Sequence, residues 1–288
     1  MKESEEKLRR HEYVEIPSTK DIYFEHYFDQ GRLVSNHWHN ELEIIYLLKG
    51  NLDVTIGNRT EHYKKSDLIL INTKVVHSTM CTSPNESILV QIPYAFLKRY
   101  IPDVDNYLFY VDCFSLNPIV QTKITQLKET LQKMLIVTEY HPDGEWLQFG
   151  SLLFKLLYIL YHNFKITDLR VGFQQQAKNL DKLDSVLDYT QKHYNESISL
   201  DEIAEIAGFQ SQYFCRLFKK NMGITYLQYL NEIRLSYIYQ DLITTELTVQ
   251  KILELHGFTN YKLFRRIFAD KFYMTPLEMR NLQNKKRS

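Results

Sequence analysis

Four side chains in the first third of the chain have the types and spacing that metal or ligand chemistry asks for. His37 and His39 are separated by Trp38, Glu43 follows shortly after, and His77 stands behind the apolar run "DLILIN". Two or three imidazoles and a carboxylate facing a concave interior could hold zinc, iron or manganese, which accept nitrogen and oxygen donors of this kind. The same groups could hydrogen-bond the hydroxyls of a small organic ligand, or tie strands together without binding anything. The residue types leave all three uses open. A second, cationic set lies far along the chain: Arg216 and Lys219 in "QSQYFCRLFKK", and Lys262, Arg265 and Arg266 in "TNYKLFRRIFADK". Lysines and arginines hold phosphates, and an arginine aimed at a base edge can make two hydrogen bonds to guanine.

The elements that would position the cations are two copies of one pattern. Ala207-Gly208-Phe209 matches His256-Gly257-Phe258 at an offset of 49; beyond the turn, Phe214, Arg216 and Phe218 match Phe264, Arg266 and Phe268 at an offset of 50. Each copy reads as a short amphipathic helix, a Gly-Phe turn and a second helix. That is a helix-turn-helix, whose second helix lies in the DNA major groove. At the helical period Phe214, Leu217 and Phe218 form an apolar stripe with Tyr213 at its edge, leaving Gln212, Cys215, Arg216 and Lys219 outward. In the second copy Leu263, Phe264, Ile267 and Phe268 face inward, and Lys262, Arg265, Arg266 and Ala269 outward. A single basic face is most often only solvated, but two copies with matched arginines argue for a use. Between them, Tyr226 to Ile243 contains neither Gly nor Pro and repeats apolar residues at Leu227, Leu230, Ile233, Leu235, Ile238 and Leu242. A helix of that length spans about 27 Å and could seat two reading helices about one DNA turn, roughly 34 Å, apart.

The segments "ISLDEIAEIAGF", "YFCRLFKKNMGIT", "YLNEIRL" and "GFTNYKLFRRIFADKFYMTP" resemble the AraC/XylS family of transcriptional regulators. The resemblance covers about the last hundred residues. It implies that the outward residues of both reading helices touch DNA, by position Ser211, Gln212, Cys215, Arg216 and Lys219 in the first and Tyr261, Lys262, Arg265 and Arg266 in the second. Two positions depart from the family pattern. Tyr273 stands where Gly is usual before Met-Thr-Pro, although Gly223 is kept in the first copy; left-handed backbone at a tyrosine costs stability, so a different turn is expected there. Cys215 replaces a residue that is often polar.

The elements that would position the imidazoles are strands. From Tyr13 to about Pro93 short runs rich in β-branched residues ("LEIIYLL", "LDVTIG", "DLILIN", "SILVQIP") alternate with Gly, Asn, Asp and Ser, which predicts a small β-barrel or jelly roll. His37, His39 and Glu43 share strand parity, inward if Ile45 and Leu47 mark the interior, while Trp38 has the opposite parity and reads as a core residue. Gly31, His37-Trp38-His39, Glu43 and Gly50 resemble the first signature of the cupin superfamily, and His77 falls where the second signature places its histidine. The rest of that second signature is not kept, since Ser66, Asn72, Lys74 and Cys81 occupy its Gly, Pro, Gly and Asn positions. The resemblance implies a sensor pocket, with or without a metal.

From Asn117 to Phe164 the period becomes helical. Ile124, Leu127, Leu131, Met134 and Leu135 form one stripe; after the His141-Pro142-Asp143-Gly144 turn, Trp146 to Phe164 is apolar nearly all round and must be covered on several sides. The barrel can cover part of it. The same helices of a second subunit are the other candidate, as the family resemblance also implies. Thr167 to Asn179 reads as a polar linker, Leu180 to Tyr194 as the first helix of the next domain, and Ser199 with Glu202 as a capping box. The charged first ten residues and the basic tail "NKKRS" read as frayed ends.

The 288 residues allow two domains, and 35 basic against 35 acidic side chains exclude indiscriminate coating of nucleic acid while permitting local basic faces. Three unpatterned cysteines fit reduced thiols in a cytoplasmic protein, and neither a signal peptide nor a spanning segment is legible. The expectation is an α+β chain: a cupin-like ligand-sensing domain over 1–116, a helical dimerisation segment and linker over 117–179, and a DNA-binding domain with two helix-turn-helix motifs over 180–288. Its function would be effector-controlled, sequence-specific DNA binding by a homodimer. The expected partners are promoter or operator duplex and a small effector, with carbohydrate and RNA polymerase as candidates and no membrane. Ligand-binding candidates are His37, His39, Glu43 and His77. No cofactor is required, and a divalent metal on those four residues is the candidate exception. The rival class is a metal-dependent cupin enzyme tethered to a DNA-binding module, but no acid–base pair stands outside the four candidate ligands, so no enzyme is expected.

Overall fold

Alternation organises the amino-terminal part. In β3 (Glu41–Lys49), Glu43, Ile45 and Leu47 leave one face and Leu42, Ile44 and Tyr46 the other, and all six are buried, so this strand is covered on both sides. The computed structural model describes residues 21–57, 59–81, 83–167, 180 and 182–287, the last six by backbone alone. Within it, β1 (Tyr23–Asp29), β2 (Arg32–His37), β3, β4 (Asn51–Ile56), β5 (Arg59–Lys64), β6 (Leu68–Ile71), β7 (His77–Cys81) and β8 (Asn85–Pro93) form two four-stranded sheets. Their orders are β1-β8-β3-β6 and β2-β7-β4-β5, with antiparallel neighbours throughout. Ile45, Leu47, Leu52, Val54, Ile69, Ile71 and Cys81 make one apolar cluster inside the β-domain. This is the jelly-roll layout expected, with the interior where Ile45 and Leu47 place it.

The opposite face of β3 is covered by helices. Leu42, Ile44 and Tyr46 share a core with α1 (Tyr94–Tyr100), α2 (Pro118–Tyr140) and α3 (Glu145–Asn163). Asn117 starts α2 by accepting from the Ile119 amide, with Pro118 in the first turn. Ile124, Leu127, Leu131 and Met134 are buried as their spacing predicts. The apolar girdle of α3 divides in two: Leu153, Leu156, Leu157, Ile159 and Leu160 are buried, whereas Trp146, Phe154 and Tyr158 are 74%, 45% and 63% exposed.

The polar stretch read as a linker lies, beyond Thr167, outside the described residues, as do the charged first ten. Leu180 is helical, Lys182 and Leu183 form a turn, and α4 runs Asp184–His193. There follow α5 (Leu200–Ile206), α6 (Ser211–Met222), α7 (Tyr226–Thr244), α8 (Val249–Leu255), α9 (Tyr261–Phe272) and α10 (Pro276–Arg287). The basic tail is therefore helical backbone through Arg287 rather than a frayed end. Ser199 and Glu202 form the expected capping box, and Thr225 with Gln228 forms another at the start of α7.

Helix α7 belongs to two cores. Tyr226, Tyr229, Leu230 and Ile233 pack with α5 and α6, and Leu235, Ile238, Tyr239, Leu242 and Ile243 pack with α8 and α9. Leu227, expected in this stripe, is 49% exposed, because a helix with partners on two sides need not keep one straight apolar seam. Tyr273 corrects another expectation. It ends α9 at φ 56° and ψ 23°, the same left-handed cap that Gly223 makes for α6 at φ 76°. The turn keeps its shape and the tyrosine carries the strain, with its side chain 89% exposed.

The carboxyl-terminal helices dock on the β2–β7 sheet. Leu33 and Met80 pack with the second core, Trp38 and Val76 join the first, and α7 lies against β2. Trp38 is thus buried as expected, but in the core of the other domain.

Candidate nucleic-acid interface and imidazole cluster

The cluster is built on a hairpin. His37 closes β2, His39 lies in the connection, and Glu43 rises in β3, so the three do not share one strand as their parity suggested. They converge nonetheless, because the connection folds His39 back beside Glu43. His77 opens β7 directly opposite His37 in the ladder. The ring centroids of His37 and His77 are 4.1 Å apart, those of His39 and His77 5.1 Å, and those of His37 and His39 5.9 Å. All four residues are buried.

Each imidazole is oriented by the backbone beside it. Nδ1 of His37, His39 and His77 lies 3.0, 3.1 and 2.9 Å from the carbonyl oxygens of Ser35, Glu41 and Val75. A carbonyl only accepts, so Nδ1 carries the proton and Nε2 of a neutral ring presents its lone pair. His39 Nε2 stands 3.2 Å from Glu43 Oε2 and His77 Nε2 3.8 Å from Glu43 Oε1, and the amide of Gln91 donates to Glu43 Oε2 at 2.7 Å. Nε2 of His77 is buried without a hydrogen bond. One ligand atom from each imidazole lies within 4.8 Å of the others.

Electrostatics match this geometry. Burial, reinforced by His77 and His39, holds the His37 imidazole well below its usual range, and burial lowers His77 to about 4. Burial alone would raise Glu43, but His39, its hydrogen bond to the carboxylate, and the other two rings outweigh that and bring it to about 2. At neutral pH the site thus offers neutral nitrogen donors at His37 and His77 beside an ionised carboxylate. That donor set fits a divalent metal of the zinc, iron or manganese class.

The cationic faces stand where the helical period puts them. On α6, Gln212, Arg216 and Lys219 are exposed while Phe214, Leu217 and Phe218 are buried. On α9, Tyr261, Lys262, Arg265 and Arg266 are exposed over buried Phe264 and Phe268. Two members of the first set are less available than expected. Cys215 is half-buried against the first core, and the half-buried Ser211 donates its hydroxyl to Asp201. Conversely, Tyr213, placed at the edge of the apolar stripe, is 47% exposed, and Lys220 beside it is exposed too. On the second helix, Tyr261, Lys262, Arg265, Arg266 and Ala269 line a shallow cleft of about 350 Å³ with Thr275 and Pro276. Thr275 and Glu278 cap each other's backbone amides there. Their Thr-x-x-Glu spacing is the signal that could have placed this helix start in advance.

Comparison with known proteins agrees with this division. Residues 196–282 match a family model described as a helix-turn-helix domain, and residues 24–92 match one described as a cupin domain. An uncharacterized HTH-type transcriptional regulator of Staphylococcus aureus (strain COL) is 24% identical over 242 residues, which cover 84% of this chain and 31% of that protein. The chain therefore spans about a third of the length of the Staphylococcus relatives it matches. The probable transcriptional regulator LumQ of Photobacterium leiognathi is 24% identical over 242 residues, covering 83% of this chain and 89% of that one. Among solved structures, a transcriptional regulator with an AraC-type DNA-binding domain from Chromobacterium violaceum is 28% identical, covering 37% of this chain and 96% of its own, with a TM-score of 0.34. Among the described residues no helix is long and apolar enough to cross a membrane.

Proposed function

We propose that this chain, which belongs with the AraC-type helix-turn-helix transcriptional regulators and carries a cupin domain, binds duplex DNA through α6 and α9 and senses a small ligand at His37, His39, Glu43 and His77. One observation carries the DNA reading. Two helices of matched sequence bury their aromatic faces in separate cores joined by α7 and leave Arg216 and Lys219, and Lys262, Arg265 and Arg266, exposed. The lysines hold phosphates, a salt-sensitive and sequence-blind contribution. Arg216 and Arg266 suit bidentate contact with guanine. Arg266→Ala is expected to lower affinity for a selected duplex by about 1–3 kcal/mol and to relax specificity in one half-site, while Lys219→Ala weakens all sequences alike. Gel shift against the selected duplex and base-substituted versions measures both; unchanged affinity in Arg266→Ala overturns the assignment of α9.

The ligand reading rests on the compactness of the cluster. Ligand atoms within 4.8 Å of one another and rings this deeply buried surround the volume of one ion rather than of a sugar ring. A divalent metal is therefore the favoured ligand over a carbohydrate. Bound there, it would cross-link β2, β3 and β7 through charge and coordination. The protein's own part is to fix the tautomers through three backbone carbonyls, exclude water and hold Glu43 ionised.

A homodimer through α3 is the third part of the proposal. Trp146, Phe154 and Tyr158 run along one side of that helix, with the half-exposed Tyr100 ring packed edge-on to Phe154 at 4.7 Å. Large apolar side chains exposed on one helix in this way suit an interaction surface. Sedimentation should show a dimer that Trp146→Glu with Phe154→Glu weakens by about 30-fold or more. A wild-type chain that sediments as a monomer at micromolar concentration removes this part.

A further inference from the structure

Strands β2 and β7 touch both helix-turn-helix units, but at different places. At one place Leu33 and Met80, opposite each other in the ladder, pack with the core around α8 and α9, and the Gln240 amide donates to the Gly31 carbonyl at 2.9 Å. At the other, Trp38 and Val76 are buried in the core around α5 and α6, and the Asn36 amide donates to the carbonyl of Met222 at 3.1 Å. Met222 is the last residue of the reading helix α6. The final carbonyls of a helix have no partner within it, so Asn36 caps α6 from the cupin domain.

The imidazoles lie only at this second place. Asn36 and Trp38 flank His37, Trp38 also precedes His39, and Val76 precedes His77. Contacts give the directions: the Asn36 amide reaches Met222 and the Trp38 and Val76 side chains lie in the first helix-turn-helix core, while the imidazoles beside them face one another. Docking here leaves Gln212, Arg216 and Lys219 exposed, so it holds the reading face ready rather than covering it.

We infer that Asn36 and Trp38 are positioning residues for α6, and that occupancy of the imidazole cluster is transmitted to the first helix-turn-helix and not to the second. The positioning half stands without any ligand, while the transmission half rests on the sensing role proposed above. A ligand that fixes the β2–β3 hairpin fixes Asn36 and Trp38 with it. The first half-site then meets a better-ordered helix, and the second, docked through Leu33, Met80 and Gln240, is unaffected.

The test uses the full chain and a duplex selected from a random library, with Arg216→Ala and Arg266→Ala footprints marking the two halves. Asn36→Ala should weaken protection of the Arg216-marked half by about three- to tenfold and leave the other within about twofold. Asn36→Asp should be worse than Asn36→Ala, because a carboxylate facing the Met222 carbonyl has no proton to donate and meets the negative end of the helix dipole. Zinc chloride, its binding followed by calorimetry, should strengthen protection of the Arg216-marked half alone. Equal losses in both halves, no loss in either, or Asn36→Asp matching the wild type would overturn the positioning role. Zinc that binds and protects both halves equally overturns the transmission. Zinc that does not bind removes the sensing reading and the transmission together, and the Asn36 variants still decide the positioning.

Discussion

Gly257→Ala is expected to destabilise the carboxyl-terminal domain by about 3–5 kcal/mol, and Gly208→Ala by about 1 kcal/mol. The two glycines occupy the same position in the duplicated motif and nearly the same backbone conformation, φ +66° and +70°. The strain of placing a side chain at positive φ is therefore common to both. What differs is the space. A Cβ on Gly257 would lie 2.1 Å from the carbonyl oxygen of Asn195 and 2.6 Å from its carbon, while one on Gly208 meets nothing within 4 Å. Backbone cannot swing aside as a long side chain can. The turn around Asn195 is also held from other directions: Arg234 donates to the carbonyls of Tyr194 and Glu196 at 2.7 and 2.6 Å, and the Tyr194 hydroxyl pairs with His256 at 3.1 Å. His256 in turn lies 2.8 Å from Asp241 on α7. Urea melts of the two variants measure the difference; equal losses would mean that the turn yields and that the second unit is not wedged against Asn195.

His37→Ala should lower affinity for zinc or manganese by about 100-fold or more, since it removes a donor and not merely a group behind one. Calorimetry on the purified chain reads this directly, and a variant that binds metal as the wild type does would place the ion elsewhere. The same cluster sets an acid limit. His77 is lowered from 6.5 to about 4 and His37 is shifted the same way, so between those values the unfolded chain takes up protons that the folded chain refuses. Stability therefore falls as pH drops from about 6.5 toward 4, by on the order of 3 kcal/mol for His77. Glu43, depressed from 4.5 to about 2, adds a further loss as pH falls below about 4.5. Bound metal should deepen the first loss, because a folded chain holding the ion takes up still fewer protons and metal affinity weakens as protons compete for the same nitrogens. Melts at pH 7 and 4.5, with and without zinc, should show the gap widening when the ion is present.

Periodicity made much of this legible from sequence. The buried faces of α6 and α9 follow from aromatic residues at helical spacing, and Ser199 with Glu202 marked a helix start by the chemistry of two side chains. The four strands rich in β-branched residues were legible for the same local reason. β1, "YFEHYFD", interleaves aromatic with charged residues without a clean alternation, and β5, "RTEHYK", is mostly polar, so their pattern was correspondingly weak. The imidazole cluster was found through residue type, yet its route differs from the parity argument because a turn lies between His37 and Glu43. Nothing local could reveal that Trp38 packs into another domain, that Cys215 leans toward a core, or that Gly257 is wedged where Gly208 is free. Those depend on contacts between segments far apart in the chain. Tyr273 was expected to alter its turn; the packing around Phe272 and Met279 fixes the backbone there instead, and local preference gives way.

Because one continuous rod supplies residues to two cores, no loop separates them along the chain, and the span between the recognition elements is set by the length of that rod even where the order of α6 itself changes. The chain behaves as a caliper whose two jaws share one arm. A target sequence lengthened by a few base pairs between its two halves would present the second half both too far away and rotated around the duplex, and twisting the DNA would be the only way to restore the fit.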